Sequence, residues 1–208
     1  MVIDNTAYKE GFTEHYEEGR PVWDIGKPQA PFIEISDNVK SPILDVGCGT
    51  GSVAIFFAEK GNTVMGIDLV DKAIDRAREK AAGKKLDVTF LVKDAFTLID
   101  SDWRFPSIVD SGLFHVFADD LERQRLYVKA LAHVIEPNGT LYLLAAKNQP
   151  EGSAALSGYS YDELRNAFSE GWKFESIKEF VAEVTPETTM KHPDAEWTTW
   201  FAVIKRIA

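Results

Sequence analysis

The chain has 208 residues, 45% hydrophobic and 12% aromatic, enough to bury one full core and too short for several domains. A formal net charge of −10 sets the surface against a polyanion and excludes nucleic acid as an expected partner. The single cysteine, Cys48, excludes an intrachain disulfide and a cysteine metal cluster, and no apolar run nears the ~18 residues a membrane span needs.

The opening stretch MVIDNTAYKEGF is acidic and polar, without the basic-then-apolar order of a secretory signal, so the expected location is cytoplasmic. With no exposed apolar stripe evident, a monomer is the default expectation. Residues 21–32, PVWDIGKPQAPF, hold a tryptophan and three prolines ahead of any strand or long-helix pattern. The alternation of elements begins near residue 42. PILDVG reads as a short buried strand, SVAIFFAEKG as a helix stopped by Gly61, and TVMGID as a second strand. VDKAIDRAREKAAG is a second helix with Ile74, Ala77 and Ala81 on one face and Gly83 as its stop. DVTFLVKD is a third strand and SIVDSGLF a fourth. A helix from about Asp119 to Ile135 follows, its start signed by Asp119 and Glu122, and the turn EPNG feeds the strand TLYLLAAK. SYDELRNAFSEG is a helix with Ser160 and Glu163 as a capping box. Strand-like runs at about 172–184 and 196–207 close the chain, with TPETTMKHPD between them. Such alternation predicts one α/β domain: a mostly parallel sheet with helices on both faces, finished by an antiparallel hairpin.

The first strand runs into LDVGCGTGS. Gly47, Gly49 and Gly51 let the backbone turn tightly and approach a ligand where a helix begins. The spacing is neither the Gly-x-Gly-x-x-Gly of dinucleotide enzymes nor the Gly-Lys-Ser/Thr of triphosphate loops. Asp45 disfavours a pyrophosphate and suits a ligand carrying an ammonium group. Asp68, at the end of the second strand, is placed to take the hydroxyls of a ribose. Asp94, Ala95 and Phe96 end the third strand, where they can read an adenine amino group and pack its ring.

LDVGCGTG, GID and KDAF, in this order and spacing, resemble the class I S-adenosylmethionine-dependent methyltransferases over about residues 40–147. The resemblance implies a Rossmann-like seven-stranded sheet with its last strand antiparallel, and S-adenosylmethionine as cofactor. It places Asp45, Gly47, Cys48, Gly49 and Gly51 at the methionine end, Asp68 with Leu69 at the ribose, and Asp94, Ala95 and Phe96 at the adenine; Asp110 joins the cofactor set at the edge that faces the methyl. The implied division is a lid at 1–40, a cofactor-binding core at 41–147, and a C-terminal helix and hairpin at 148–208.

The segment Tyr16 to Gln29 resembles the lid of the branch that methylates small molecules, which includes thiol, thiopurine-type and heterocyclic toxin methyltransferases. Trp23 holds the position of a cofactor-contacting tryptophan in that branch. The implied reaction is methyl transfer to a nitrogen, oxygen or sulfur atom of a small aromatic heterocycle or thiol. The stretch DSGLFHVF is shared with the toxin-methylating group, and Ser111 stands where thiol/halide enzymes have an aromatic residue. Tyr16, Phe114 and His115 are the candidate acceptor contacts, with His115 the one histidine placed to act as a base. Trp197 and Trp200 read as core of a period-two strand. The loop 185–195 and the stretch NQPEGSAALSGYS are expected to line the acceptor pocket. The rival readings are a non-catalytic binder of the same cofactor and a nicotinamide enzyme, the latter disfavoured by the glycine spacing.

Overall fold

The computed structural model describes residues 4–19, 21–148 and 157–207. Seven strands form one sheet: β1 (Ile43–Val46), β2 (Val64–Asp68), β3 (Thr89–Val92), β4 (Phe105–Ser111), β5 (Ile135–Ala146), β6 (Trp172–Val181) and β7 (Thr198–Arg206), in the order β3-β2-β1-β4-β5-β7-β6. The first five pair in parallel, and β7 lies antiparallel between β5 and β6. This is the expected Rossmann-like sheet with its antiparallel closing strand.

Strand periodicity splits the core in two. Leu44 and Val46 of β1 face one cluster, shared with α5 (Leu121–Val134) and α6 (Tyr161–Ala167). Ile43 faces the other, packed by α3 (Ser52–Glu59) and α4 (Asp71–Gly83). Ile74, Ala77 and Ala81 are the buried stripe of α4, as their spacing predicts. Among the described residues, no helix is long and apolar enough to cross a membrane.

Four local expectations are corrected. The proline-rich opening is preceded by a 12-residue helix, α1 (Thr6–Glu17), and contains a short one, α2 (Ala30–Glu34), started by Pro31. α1 carries Tyr8, Phe12 and Tyr16 every four residues, but that stripe faces the cavity and only Tyr16 is buried. α5 starts one residue later than expected: Asp120, not Asp119, is the cap, its carboxylate accepting the Arg123 N–H. The EPNG turn is absorbed into β5 beside a register shift, with Asn138 at φ +63°. TPETTMKHPD contains a further helix, α7 (Pro186–Lys191). The Ser160–Glu163 capping box forms as read.

Candidate functional site at the carboxyl edge of the sheet

The parallel strands all point their carboxyl ends at one cavity of about 530 Å³. The glycine loop after β1 forms its first wall. Gly49 adopts φ +53°, and a Cβ there would lie 2.9 Å from the Tyr16 hydroxyl, so the backbone and the tyrosine meet with no room for a side chain. Gly51 serves another purpose. Its Cβ would strike Phe90 and Ala77 at 2.8 and 2.9 Å, so it lets α3 pack close, and it does not line the cavity.

The carboxylates on this edge hold the loops before they hold any ligand. Asp45 is buried and accepts the Ala54 N–H at 2.9 Å, anchoring the first turn of α3. Burial pushes its pKa up to about 8, the Ala54 hydrogen bond opposing and the nearby Asp110 and Asp68 adding. Asp68 accepts the Gly49 N–H at 2.8 Å and the Val70 N–H at 2.9 Å, and burial again raises its pKa. Asp94 accepts the Phe96 N–H at 2.9 Å through one oxygen. Its other oxygen receives the Asn5 side-chain amide at 2.6 Å, a bond from the start of α1.

The N-terminal segment closes the cavity. Trp23 lies edge-on to Phe12, His15 and Tyr16, with ring centroids 5.8, 5.3 and 6.3 Å away, and all four line the cavity. Asp24 accepts a hydrogen bond from the Thr50 hydroxyl at 2.9 Å, tying the segment to the glycine loop. Gln29 exchanges two hydrogen bonds with the backbone of Glu183, and the Thr185 N–H donates to the Val22 carbonyl. Arg76 of α4 donates to the Tyr16 and Gly19 carbonyls.

At the far end, the strand-end segment after β4 behaves differently from the sequence expectation. Asp110 and Phe114 do not line the cavity. Asp110 is fully buried and accepts three backbone N–H groups, from Gly112, Leu113 and Phe114, and the Tyr127 hydroxyl at 2.7 Å. Phe114 points into the core, stacked on Tyr159 with centroids 4.8 Å apart and on Tyr127 at 5.8 Å. His115, one residue on, does line the cavity. Its Nδ1 is buried without a hydrogen-bond partner, and burial pushes its pKa down to about 4.

Of the other residues singled out, Tyr16, Trp23, Gly47, Cys48, Leu69, Ala95 and Phe96 also line the cavity, with Asp45, Gly49, Asp68 and Asp94. Trp200 is core as expected, but Trp197 turns to the cavity. Residues 182–184 and 197–199 line it where the loop 185–195 was expected. Of NQPEGSAALSGYS, residues 149–156 lie outside the described residues. Asn5 and His15 were missed, although Tyr8, Phe12 and Tyr16 at spacings of four mark the face of α1 that carries both to the cavity.

A parallel sheet of this order, with a glycine loop after its first strand and acids after its second and third, defines the class I methyltransferase architecture. Residues 43–139 match the family described as methyltransferase domain. The 2-heptyl-1-hydroxyquinolin-4(1H)-one methyltransferase of Mycobacteroides abscessus is 32% identical over 164 residues, covering 76% of this chain and 71% of that one. A structure solved for the conversion of a disulfide bond into a thioacetal group during echinomycin biosynthesis superimposes with a TM-score of 0.83 at 32% identity, over 95% of this chain and 92% of the other. Magnesium protoporphyrin IX methyltransferase from Synechocystis, with bound S-adenosylhomocysteine, shares the fold with a TM-score of 0.73 at 15% identity, over 98% and 100%. The chain belongs to the S-adenosylmethionine-dependent methyltransferases. Its edge fits that cofactor: Gly49 has no room for a side chain, aromatic rings line the closure, and the Asn5 Oδ1 beside Asp94 is buried without a partner.

Proposed function

We propose that the protein transfers a methyl group from S-adenosylmethionine to a nitrogen, oxygen or sulfur atom of a small aromatic heterocycle or thiol. The observation that carries this reading is the cavity at the carboxyl edge, walled by the glycine loop, the strand-end acids and a cover of aromatic rings, with the half-buried His115 on its wall. The hydroxyquinolone-methylating relative supports the acceptor class. The acidic surface argues against a nucleic-acid substrate, and the expected setting is a cytoplasmic monomer.

In this reading Asp45 and the backbone of Gly47, Cys48 and Gly49 hold the methionine end. Asp68 and Leu69 hold the ribose, while Asp94, Ala95, Phe96 and the Asn5 Oδ1 hold the adenine. When bound, the cofactor supplies an electrophilic methyl on a sulfonium. Trp23, Phe12 and Tyr16 exclude water around it and turn π-faces to the cation. His115, neutral at pH 7, is the ring on the cavity wall that takes the proton a hydroxyl or ring N–H acceptor gives up; a thiolate needs no base. Gly51, Asp110 and Phe114 act one layer away, by holding the loops that carry these groups.

Turnover with hydroxyquinolones, phenols and thiols, followed by release of S-adenosylhomocysteine, tests the proposal. Protein that binds the cofactor and methylates none of them sinks it.

A pH dependence follows from Asp45. Its carboxyl holds a proton up to about pH 8 in the free protein, and an ammonium group beside it favours the carboxylate. Cofactor binding should therefore release a proton below pH 8, and affinity should rise with pH toward that value, by at most about tenfold per unit. Calorimetry in two buffers of different ionisation enthalpy reads the proton directly. A binding heat independent of buffer would remove the ammonium from Asp45.

A further inference from the structure

Asn5 stands directly before α1, where an asparagine ordinarily turns its side-chain oxygen onto the N–H groups of its own helix. Here it makes no such cap. The neighbouring Asp4 takes over that task, its carboxylate accepting the Thr6 N–H at 3.0 Å. The Asn5 side chain reaches Asp94 instead, 89 residues on, and its Nδ2 donates to Asp94 Oδ2 at 2.6 Å. A carboxylate only accepts, so the amide must present Nδ2 to it and turn Oδ1 away.

The start of α1 is held in place for this bond. The Arg123 guanidinium donates to the Asp4 carbonyl at 3.0 Å and lies 4.9 Å over the Tyr8 ring, and Asp120 in turn holds Arg123 at 2.7 Å. Tyr8 meets Phe117 edge-on and Phe117 meets Phe96, with centroids 6.1 and 5.2 Å apart. Asn5, Tyr8, Asp94, Phe96 and Phe117 all line the cavity, and Asp94 is half-buried on its wall. One Asp94 oxygen is taken by the Phe96 N–H at 2.9 Å and the other by Asn5. Each oxygen keeps a second lone pair, and with both oxygens pinned those lone pairs point in fixed directions.

We propose that Asn5 is a positioning residue for the base of the cofactor. It holds the Asp94 carboxylate as a fixed acceptor for the exocyclic amine of adenine, and so selects a 6-amino purine over a 6-oxo one. A 6-oxo purine puts an oxygen in the place of the amine and carries its proton on the ring N1. The pinned carboxylate meets that oxygen, acceptor against acceptor. A carboxylate released from Asn5 can rotate toward the N1–H, and the preference falls. This rests on the assignment of Asp94 to the adenine and adds the residue that enforces it.

The probes are S-adenosylhomocysteine and S-inosylhomocysteine, which differ only in that exchange, and calorimetry reads their binding without turnover. Wild-type protein should prefer the first by about 100-fold, a hydrogen bond to a charged group exchanged for a repulsion. Asn5→Ala should weaken S-adenosylhomocysteine about tenfold and leave S-inosylhomocysteine within about threefold. Asn5→Asp keeps the shape but turns an acceptor on Asp94, and should weaken S-adenosylhomocysteine at least as much. Arg76→Met is the control for the docking of α1. It frees the far end of the helix, at the Tyr16 and Gly19 carbonyls, and should weaken both probes by the same factor. Equal losses for both probes in Asn5→Ala would make Asn5 a fastening of the helix and overturn the proposal, and so would no loss in either Asn5 variant. If Asp94→Ala abolishes the preference while Asn5→Ala keeps it, Asn5 falls and the adenine assignment of Asp94 stands. Wild-type protein that binds the two probes alike overturns both.

Discussion

Replacing Gly49 by valine is expected to weaken cofactor binding by at least about 100-fold. Two effects act together. The residue sits at φ +53°, where a β-branched side chain is strained by about 1–2 kcal/mol, and its Cβ would lie 2.9 Å from the Tyr16 hydroxyl. Tyr16 is buried against the loop, its hydroxyl accepting the Trp23 indole N–H at 3.4 Å, so displacing it disturbs the aromatic cover as well. The Gly49 N–H also holds one oxygen of Asp68, and a shifted loop releases that carboxylate. Gly61 is the control. It too has a positive φ, +86°, but nothing lies within 4 Å of its Cβ position. Gly61→Val should cost similar strain and leave binding unchanged. Calorimetry with S-adenosylhomocysteine separates the two; a Gly49→Val protein that binds within threefold of wild type would remove the loop from the site.

Asp110→Ala should destabilise the fold by about 3–5 kcal/mol, because it strips the acceptor from a buried network. Three backbone N–H groups and the Tyr127 hydroxyl lose their partner together, and no water-exposed route offers a replacement at a residue 0% exposed. For a chain of this length the melting temperature should fall by about 10 °C or more. Asp110→Asn keeps one acceptor oxygen and should cost less. Its pH behaviour is the sharper readout. Burial pushes the Asp110 carboxyl up to about 7, against about 3.9 unfolded, so the native state keeps a proton that the unfolded chain loses. Stability from this group is full below about pH 4 and is lost as pH rises through about 7; Asp45 extends the same trend to about 8. His115 works in the other direction, its contribution lost as pH falls from 6.5 through about 4. Melts from pH 5 to 8 should therefore show a shallower decline in Asp110→Asn than in wild type. Parallel curves would mean that Asp110 does not change its proton on unfolding.

The parts of this protein legible in its sequence are those set by short-range rules. Glycines before an apolar helix, acids at strand ends and a period of two are local signals, and they led to the seven strands and to the glycine loop and strand-end acids of the cavity wall. Phe114 and His115 mark where such signals stop. They are neighbours in a turn of 3-10 helix, Phe114–Phe117, and only three-dimensional packing decides that the phenyl ring goes inward onto Tyr159 while the imidazole goes to the cavity. Trp197 and Trp200 divide for the same reason: Trp200 lies within β7, and Trp197 stands just before the pairing begins. Gly51 had the right pattern for a ligand contact, but its missing side chain makes room for Phe90. α1 was hidden because its partners are remote in the chain: Asn5 bonds Asp94, the Tyr16 carbonyl takes Arg76, and Phe12 and Tyr16 pack on Val70 and Ala73.

The aromatic cover is fastened on several sides, at Asp94, the glycine loop, Arg76 and Glu183. It walls both the Asp94 end of the cavity and the Trp197 end. Because these fastenings come from four separate parts of the chain, losing any one of them leaves the cover held at the other three.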